Sequence, residues 1–346
     1  MKSKLKAGDS GQIIHEDVMH ILKNLDLENL RNKTLLITGS NGLIGSYIIR
    51  AIYEANKLHG LNAKVIGISR SEPNQMLSFI KDENFNFIKK NLAEGLGYNG
   101  KFDFAIHAAT YAQPAKFMQN KLETIKLNTN LVEELAQKSK ENNASLLFIS
   151  SSEVYGKSEV IPTPEEYNGN CTTLEARSVY SESKRLGETI CAVFREEGLN
   201  VKIARVSATY GPGITVNDKR VLGNFLNKAL LKGHIDIMDS GAQKRTWLYV
   251  SDCVIILLKI LLQGNSFVYN VGGNDTLSIK ELAKLISELT GATFSAPLED
   301  KLFMKGAPDE VKLNIAKIKN EFNISGFIPI DKGLRNTIEW NRLQNG

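Results

Sequence analysis

Thr38-Gly39-Ser40-Asn41-Gly42-Leu43-Ile44-Gly45 is the stretch that decides the fold. It closes the apolar run Thr34-Leu35-Leu36-Ile37 and opens a helix-like segment, Ser46 to Leu58. A strand that ends in a glycine-spaced turn and opens a helix is a seat for a pyrophosphate. Gly39 allows the tight turn, Gly42 lets the backbone approach the phosphates, and Gly45 lets the helix pack on the strand. The helix N-terminus supplies free N–H groups and a partial positive charge.

Outward from this turn, strand-like and helix-like segments alternate. Strands are predicted at Thr34–Thr38, Lys64–Ser69, Phe85–Lys89, Phe102–His107, Ser145–Ser150 and Val201–Val206. Helices are predicted over about 121–142 and 179–197. This alternation specifies an α/β fold: a Rossmann-type doubly wound parallel sheet with ligands at the C-terminal strand ends. After Tyr210-Gly211-Pro212-Gly213 the regularity weakens, which predicts a smaller C-terminal mixed α/β substrate lobe. The expected organisation is a leader helix in 1–31, with Ile14, Val18, Ile21, Leu22 and Leu25 at helical spacing, a dinucleotide-binding domain over 32–212 and the lobe over 213–346. Trp247–Val250 and Phe267–Val271 still read as short strands, so the two parts are expected to interleave.

The 346 residues allow a large core, and 42% hydrophobic with 23% charged residues is ordinary for a globular chain. The longest apolar run, Val254 to Leu262, is broken by Lys259 and is far short of a membrane span. The basic start Met1-Lys2-Ser3-Lys4-Leu5-Lys6 has no apolar stretch behind it, so no signal peptide is expected. Cys171, Cys191 and Cys253 have wide, unpatterned spacing, which fits reduced cytoplasmic thiols and no metal site. The net charge of +5 is scattered and argues against nucleic acid as partner.

Tyr180-Ser181-Glu182-Ser183-Lys184 places a phenol and an ammonium at i and i+4 on one helical face. An ammonium beside a phenol favours the phenolate, which can take a proton from a sugar hydroxyl while hydride leaves the same carbon. The spacing alone means little: Tyr53-Glu54-Ala55-Asn56-Lys57 repeats it on the helix after the glycine turn, which runs away from the strand ends. Tyr180 differs because its helix follows Ser150-Ser151-Ser152, which ends the apolar strand Leu146-Leu147-Phe148-Ile149. A serine hydroxyl there can share a hydrogen bond with the substrate oxygen and the tyrosine.

These motifs, with His107-Ala108-Ala109, Ser150–Gly156, Tyr210-Gly211-Pro212, Arg245–Asp252 and Tyr269–Gly272, resemble the extended short-chain dehydrogenases/reductases of the nucleotide-sugar epimerase/dehydratase family, over about 31–340. The resemblance implies NAD or NADP as cofactor, a nucleotide-diphosphate sugar as substrate, redox chemistry at the sugar C4, and a homodimer formed through a helix bundle that includes the Tyr180 helix. Leu131, Leu135, Leu186 and Ile190 are candidates for that bundle, or for the core. Implied roles are acid/base for Tyr180, ribose binding for Lys184 and hydroxyl partner for Ser151. Cofactor contacts are implied for Gly39, Asn41, Gly42, Leu43, Ile44, Gly45, Ser69, Arg70, Asn91, Leu92, Ala108, Ala109, Thr110 and Asn128, and substrate contacts for Ser152, Arg220, Asn224 and Arg245.

Family members differ in what the C4 ketone promotes. Dehydratases carry Asp-Glu where Ser152-Glu153 stand, and Ser152 is a poor acid. UDP-glucuronate decarboxylases have a Ser-Glu pair before Val-Tyr-Gly, as here, and the stretches His107–Thr129 and Asn217–Phe225 are similar to theirs. In that reading the ketone stabilises the carbanion formed as CO₂ leaves C5, Glu153 steers protons, and Arg245 positions the carboxylate. Other residues depart. Ser69-Arg70 ends the second strand where an NAD enzyme usually has Asp or Glu, which favours NADP. Asn91 stands in place of an adenine-binding Asp, and Ser207-Ala208-Thr209 replaces the usual Asn-Thr before Tyr210. An NADPH-dependent 4-ketoreductase and a C4 epimerase therefore remain alternatives. A non-catalytic cofactor-binding regulator is disfavoured by the presence of both Tyr180 and Lys184.

Overall fold

The computed structural model describes residues 10–297 and 309–345. The first half contains α1 (Ser10–Asn24), β1 (Thr34–Thr38), α2 (Leu43–His59), β2 (Lys64–Ser69), β3 (Phe85–Lys89), β4 (Phe104–His107), α3 (Pro114–Gln119), α4 (Lys121–Asn128), α5 (Asn130–Glu141), β5 (Ser145–Ser151), α6 (Val179–Glu196) and β6 (Val201–Val206). The second half contains β7 (Ala208–Tyr210), α7 (Val221–Lys232), β8 (His234–Asp236), β9 (Lys244–Tyr249), α8 (Val250–Gln263), β10 (Val268–Val271), β11 (Asp275–Ser278), α9 (Ile279–Thr290), β12 (Thr293–Ser295), β13 (Glu310–Val311), α10 (Ala316–Phe322) and α11 (Ile330–Asn345).

Seven parallel strands form one sheet in the order β10-β6-β5-β4-β1-β2-β3. The order reverses between β1 and β4, and that switch point is where a doubly wound sheet opens a crevice for a ligand. Alternate residues of each strand feed opposite faces. On one face Leu35 and Ile37 of β1 with Leu147 and Ile149 of β5 pack against Val18 of α1, Ile48 of α2 and Leu257 of α8. On the other, Leu36, Leu146 and Phe148 pack against Leu131, Leu135, Cys191 and Phe194 of α5 and α6. A third core lies in the C-terminal region, built from residues including Phe225, Trp247, Leu282, Ile286 and Leu334. There a second sheet runs β11-β9-β13 with β7 also paired to β9.

Three details differ from the sequence expectation. The helix predicted over 121–142 is two helices, because Thr129 leaves helical geometry at φ −126° and ψ −75°. Asn128 at that break is fully buried, and its carbonyl faces Gly187 of α6, where even a Cβ would sit 2.5 Å from it. The leader helix spans Ser10–Asn24; residues 1–9 of that expectation lie outside the described residues. Of the two short strands expected to link the parts, Phe267–Val271 returns to the parallel sheet as β10 from Val268 on, whereas Trp247 to Tyr249 belong to β9 of the second sheet and Val250 opens α8.

Candidate active site

The glycine turn joins β1 to α2 at the switch point. Gly39 has φ +77°, and a Cβ there would lie 2.7 Å from the backbone of Ala108 at the end of β4. A Cβ on Gly45 would meet the Gly39 carbonyl at 2.6 Å. Gly42 caps α2 without any side-chain hydrogen bond, so the first N–H groups of the helix, through Leu43 and Ile44, are available to an anion. Asn41 fixes the neighbouring loop: its amide donates to the Ser71 carbonyl at 2.9 Å and the Glu72 carbonyl at 2.7 Å. Next to it, a small cleft is lined by Ser40, Asn41, Ser69, Ser71 and Lys89 among others. Arg70 donates to the Tyr111 hydroxyl, which in turn donates to Glu123 at 2.6 Å.

Ala109 is buried and the Thr110 hydroxyl, also buried, has no hydrogen-bond partner among the described residues. Asn128 donates to Ser183 at 2.9 Å while its own buried side-chain carbonyl oxygen has no partner among the described residues. Orphaned buried polar atoms of this kind call for a ligand or water. With the glycine cradle, they fit a dinucleotide. Asn91 is engaged within its own turn, accepting from the Ala93 N–H at 3.2 Å and donating to Glu94 at 3.0 Å, and Leu92 packs into the core.

Ser151, Ser152 and Glu153 stand at the C-terminal end of β5, and Ser151 accepts from the Glu153 N–H at 3.2 Å to cap the turn that follows. Tyr180 lies one residue into α6, almost fully buried, with its ring stacked on Phe117 at 5.2 Å. Burial pushes its phenol well above the ordinary range, the Glu153 charge adds to this, and a hydrogen bond with Ser151 works the other way. Lys184 is 1% exposed. Its ammonium does not lean on the phenol as expected: it donates to the Ile149 carbonyl at 2.7 Å and lies over the Phe148 ring. A buried cation needs an acceptor, and the strand end supplies one. Burial lowers the Lys184 pKa to about 7, opposed chiefly by Glu188. Glu188, one further turn along α6, accepts from Ser150 at 2.6 Å and pairs with Arg205 at 2.6 Å.

Arg220 at the start of α7 is locked to Asp218 at 2.7 Å, and Asn224 is exposed on the same helix. Arg245 on β9 donates to the Lys244 carbonyl at 2.7 Å and, among the described residues, forms no ion pair. Glu153 and Asp309 act on its charge from a distance. The sequence reading missed Arg177, which stands three residues before Tyr180 and contacts Glu153 at 3.5 Å. Its position one turn ahead of the tyrosine was the available signal.

A parallel sheet with a glycine cradle at its switch point, and with serine, tyrosine and lysine gathered at the end of its fifth strand, defines a dinucleotide-dependent fold. A family model described as the NAD dependent epimerase/dehydratase family matches residues 35–272. UDP-glucuronic acid decarboxylase 1 of Xenopus tropicalis is 33% identical over 318 residues, covering 90% of this chain and 73% of that protein. UDP-glucuronic acid decarboxylase 3 of Arabidopsis thaliana is 30% identical over 299 residues, 86% of this chain and 85% of that one. The chain belongs to the NAD dependent epimerase/dehydratase family. Its fold is shared with UDP-glucose 4-epimerase of Thermotoga maritima, solved with UDP-glucose (TM-score 0.76, 24% identity, 90% and 100% of the two chains). It is also shared with a dTDP-glucose 4,6-dehydratase of Streptomyces venezuelae, solved with NAD (TM-score 0.77, 22% identity, 89% and 97%).

Proposed function

We propose that this chain is an NAD(P)-dependent enzyme that oxidises a nucleotide-diphosphate sugar at C4, and that its reaction is decarboxylation of UDP-glucuronate. The observation that carries this reading is the grouping at the end of β5. Glu153 faces Tyr180, and Ser152 stands where a dehydratase needs an acid. The names of the relatives at 30–33% identity support the same substrate.

Tyr180 takes the proton of the C4 hydroxyl, with Ser151 sharing the hydrogen bond. The Gly39–Gly45 turn, the Ala108–Thr110 segment and Lys184 would hold the cofactor, which when bound would supply reversible hydride transfer at C4. The chain's own residues hold the Tyr180 phenol protonated, and the positive charge of a bound oxidised cofactor would favour the phenolate. The C4 ketone makes the C6 carboxylate a β-keto acid. The C5–C6 bond breaks, its electron pair passes into the ketone as an enolate, CO₂ leaves, and C5 is reprotonated with Glu153 steering the proton. Arg245, a cation without an acidic partner among the described residues, suits the diphosphate or the carboxylate.

The cofactor's 2′ position carries the rival reading. The Ser69–Ser71 loop brings hydroxyls, Arg70 and nearby Lys89 to the end of β2, although Lys89 pairs with Glu72 at 3.4 Å. This favours NADP, and with it a 4-ketoreductase of a nucleotide-diphospho-4-keto-6-deoxysugar. A C4 epimerase is the third possibility. Among the described residues no helix is long and apolar enough to cross a membrane, and the three unpaired thiols suit a reducing cytoplasm. A homodimer through α4 and α6 is supported by exposed Leu122, Ile125, Leu186 and Val193. Leu131 and Leu135 are buried in the protomer and do not contribute.

Incubation with UDP-glucuronate, followed by CO₂ release and the anomeric NMR signals, tests the proposal. The decarboxylase is expected to release one CO₂ per sugar, and unchanged substrate with cofactor bound would refute it. Mass analysis of nucleotide released on denaturation separates the alternatives. Tightly held NAD accords with decarboxylase or epimerase, and an NADPH-preferring site accords with the reductase.

A further inference from the structure

Three arginines face the cleft around Glu153, and they are not equivalent. Arg220 is neutralised by bidentate contact with Asp218, at 2.7 and 3.1 Å. Arg245 spends one N–H on a backbone carbonyl and forms no ion pair among the described residues. Arg177 touches Glu153 through one nitrogen at 3.5 Å, with both side chains about 40% exposed. A single long contact between exposed partners is weak and easily exchanged. The Arg177 guanidinium also lies 5.5 Å from the centre of the Phe117 ring, and that ring stacks on Tyr180 at 12° between planes. Arg177 is thus held beside the acid/base residue by a ring contact, while among the described residues its hydrogen-bonding edge is committed only to Glu153.

We infer that Arg177 reads the anionic substituent on the sugar: the carboxylate of the substrate replaces Glu153 as its partner, and Glu153 is thereby released to handle the proton at C5. The inference rests on the decarboxylase reading. It divides the substrate's charges between cations, with Arg177 taking the carboxylate and Arg245 left for the diphosphate. A planar guanidinium matches a carboxylate with two parallel N–H···O bonds, a better partner than one contact at 3.5 Å. A nucleotide sugar with a neutral hydroxymethyl group leaves the Arg177–Glu153 contact in place.

The test is titration calorimetry and steady-state kinetics of the whole chain with UDP, UDP-glucose and UDP-glucuronate. Arg177→Gln is expected to weaken UDP-glucuronate binding and raise its KM by about 10- to 100-fold, the range of a charged hydrogen-bonded contact. It should leave UDP and UDP-glucose affinities within twofold, and Arg177→Lys should recover part of the loss. Bound cofactor content and thermal midpoint close to the parent's show that the fold is intact. Equal weakening of all three ligands would make Arg177 a diphosphate anchor and overturn the inference, as would unchanged UDP-glucuronate affinity. A parent chain that does not prefer UDP-glucuronate over UDP-glucose overturns the decarboxylase reading itself, and this inference with it. A parent that has the preference, with a variant that keeps it, overturns only the role of Arg177.

Discussion

Two helices of this protein carry a tyrosine and a lysine four residues apart, and their fates are opposite. On α2, Tyr53 packs edge-on against Phe79 and Phe85, and Lys57 lies 4.7 Å above the Tyr53 ring with its side chain 54% exposed. On α6, Tyr180 is stacked on Phe117, and Lys184 is sealed beneath the end of β5 with its ammonium on the Ile149 carbonyl. The first pair is the more intimate by geometry, since cation and ring touch, yet it is the second that the proposed chemistry uses. Contact between the two residues is therefore not what distinguishes the proposed redox site. What matters is where the helix starts: α6 brings its first turn to the C-terminal strand ends, while α2 has its pair near its far end.

The sharpest way to break this contrast is to remove each phenol. Tyr180→Phe is expected to lower turnover by about 10²–10⁴, the contribution of a positioned acid/base group. Tyr53→Phe keeps the ring and its apolar contacts, so its turnover should stay within about twofold. Parallel kinetics of the two variants at saturating substrate decide the matter. Equal losses would mean that the Tyr180 assignment is wrong.

Next in size are the glutamates on the same two helices. Glu188 pairs with Arg205 at 2.6 Å, each about 11–13% exposed, and it also holds Ser150 at 2.6 Å. Glu54 sits 3.9 Å from both Arg50 and Lys57. Removing one partner of a tight buried pair strands the other charge, at a cost of about 3–5 kcal/mol. Glu188→Gln should therefore lower the denaturation midpoint strongly, and Glu54→Gln by much less. Chemical denaturation with matched m-values reads the difference, and similar losses from both would show that the Arg205 pair is not special.

How much of this was legible depends on the range of the interactions. The turn Thr38–Gly45, the bounds of β1, β2, β3 and β6, and the register of Tyr180 with Lys184 are local, and apolar periodicity with glycine spacing carries them. The Arg177–Glu153 contact joins two loops, and the second sheet is assembled from strands as distant as Ala208–Tyr210 and Glu310–Val311. Nothing in a short window encodes such pairings. The break at Thr129 was invisible for the same reason, because it answers the close approach of Asn128 to Gly187 on another helix. Lys184 taught a further lesson. Spacing placed it on the right face, but only the burial of its ammonium shows that its partner is a strand carbonyl.

The smallest effect expected on catalysis belongs to a third arrangement of tyrosines, at the leader helix. Asp17 of α1 is 5% exposed and accepts from the hydroxyls of Tyr47 on α2, at 2.8 Å, and Tyr249 on β9, at 2.9 Å. His20 and Asp252 also act on it, and they contact each other at 3.4 Å. Burial dominates and raises the Asp17 carboxyl to about 7, against the hydrogen bonds that lower it. The folded chain therefore holds a proton that the unfolded chain, with a carboxyl near 3.8, has already lost. Unfolding releases that proton, so stability is greatest below about pH 4 as far as this group is concerned and declines as pH rises toward 7. At about 1.4 kcal/mol per unit, the decline is on the order of a few kcal/mol. Asp17→Asn keeps an oxygen to accept both hydroxyls and removes the titration. Thermal melts of the parent should fall in midpoint between about pH 4 and 7 relative to those of the variant, while turnover at pH 7 changes little because none of the groups that Asp17 contacts is assigned to the reaction. Parallel curves for the two proteins would show that Asp17 is ionised throughout and that the tyrosine hydroxyls outweigh its burial.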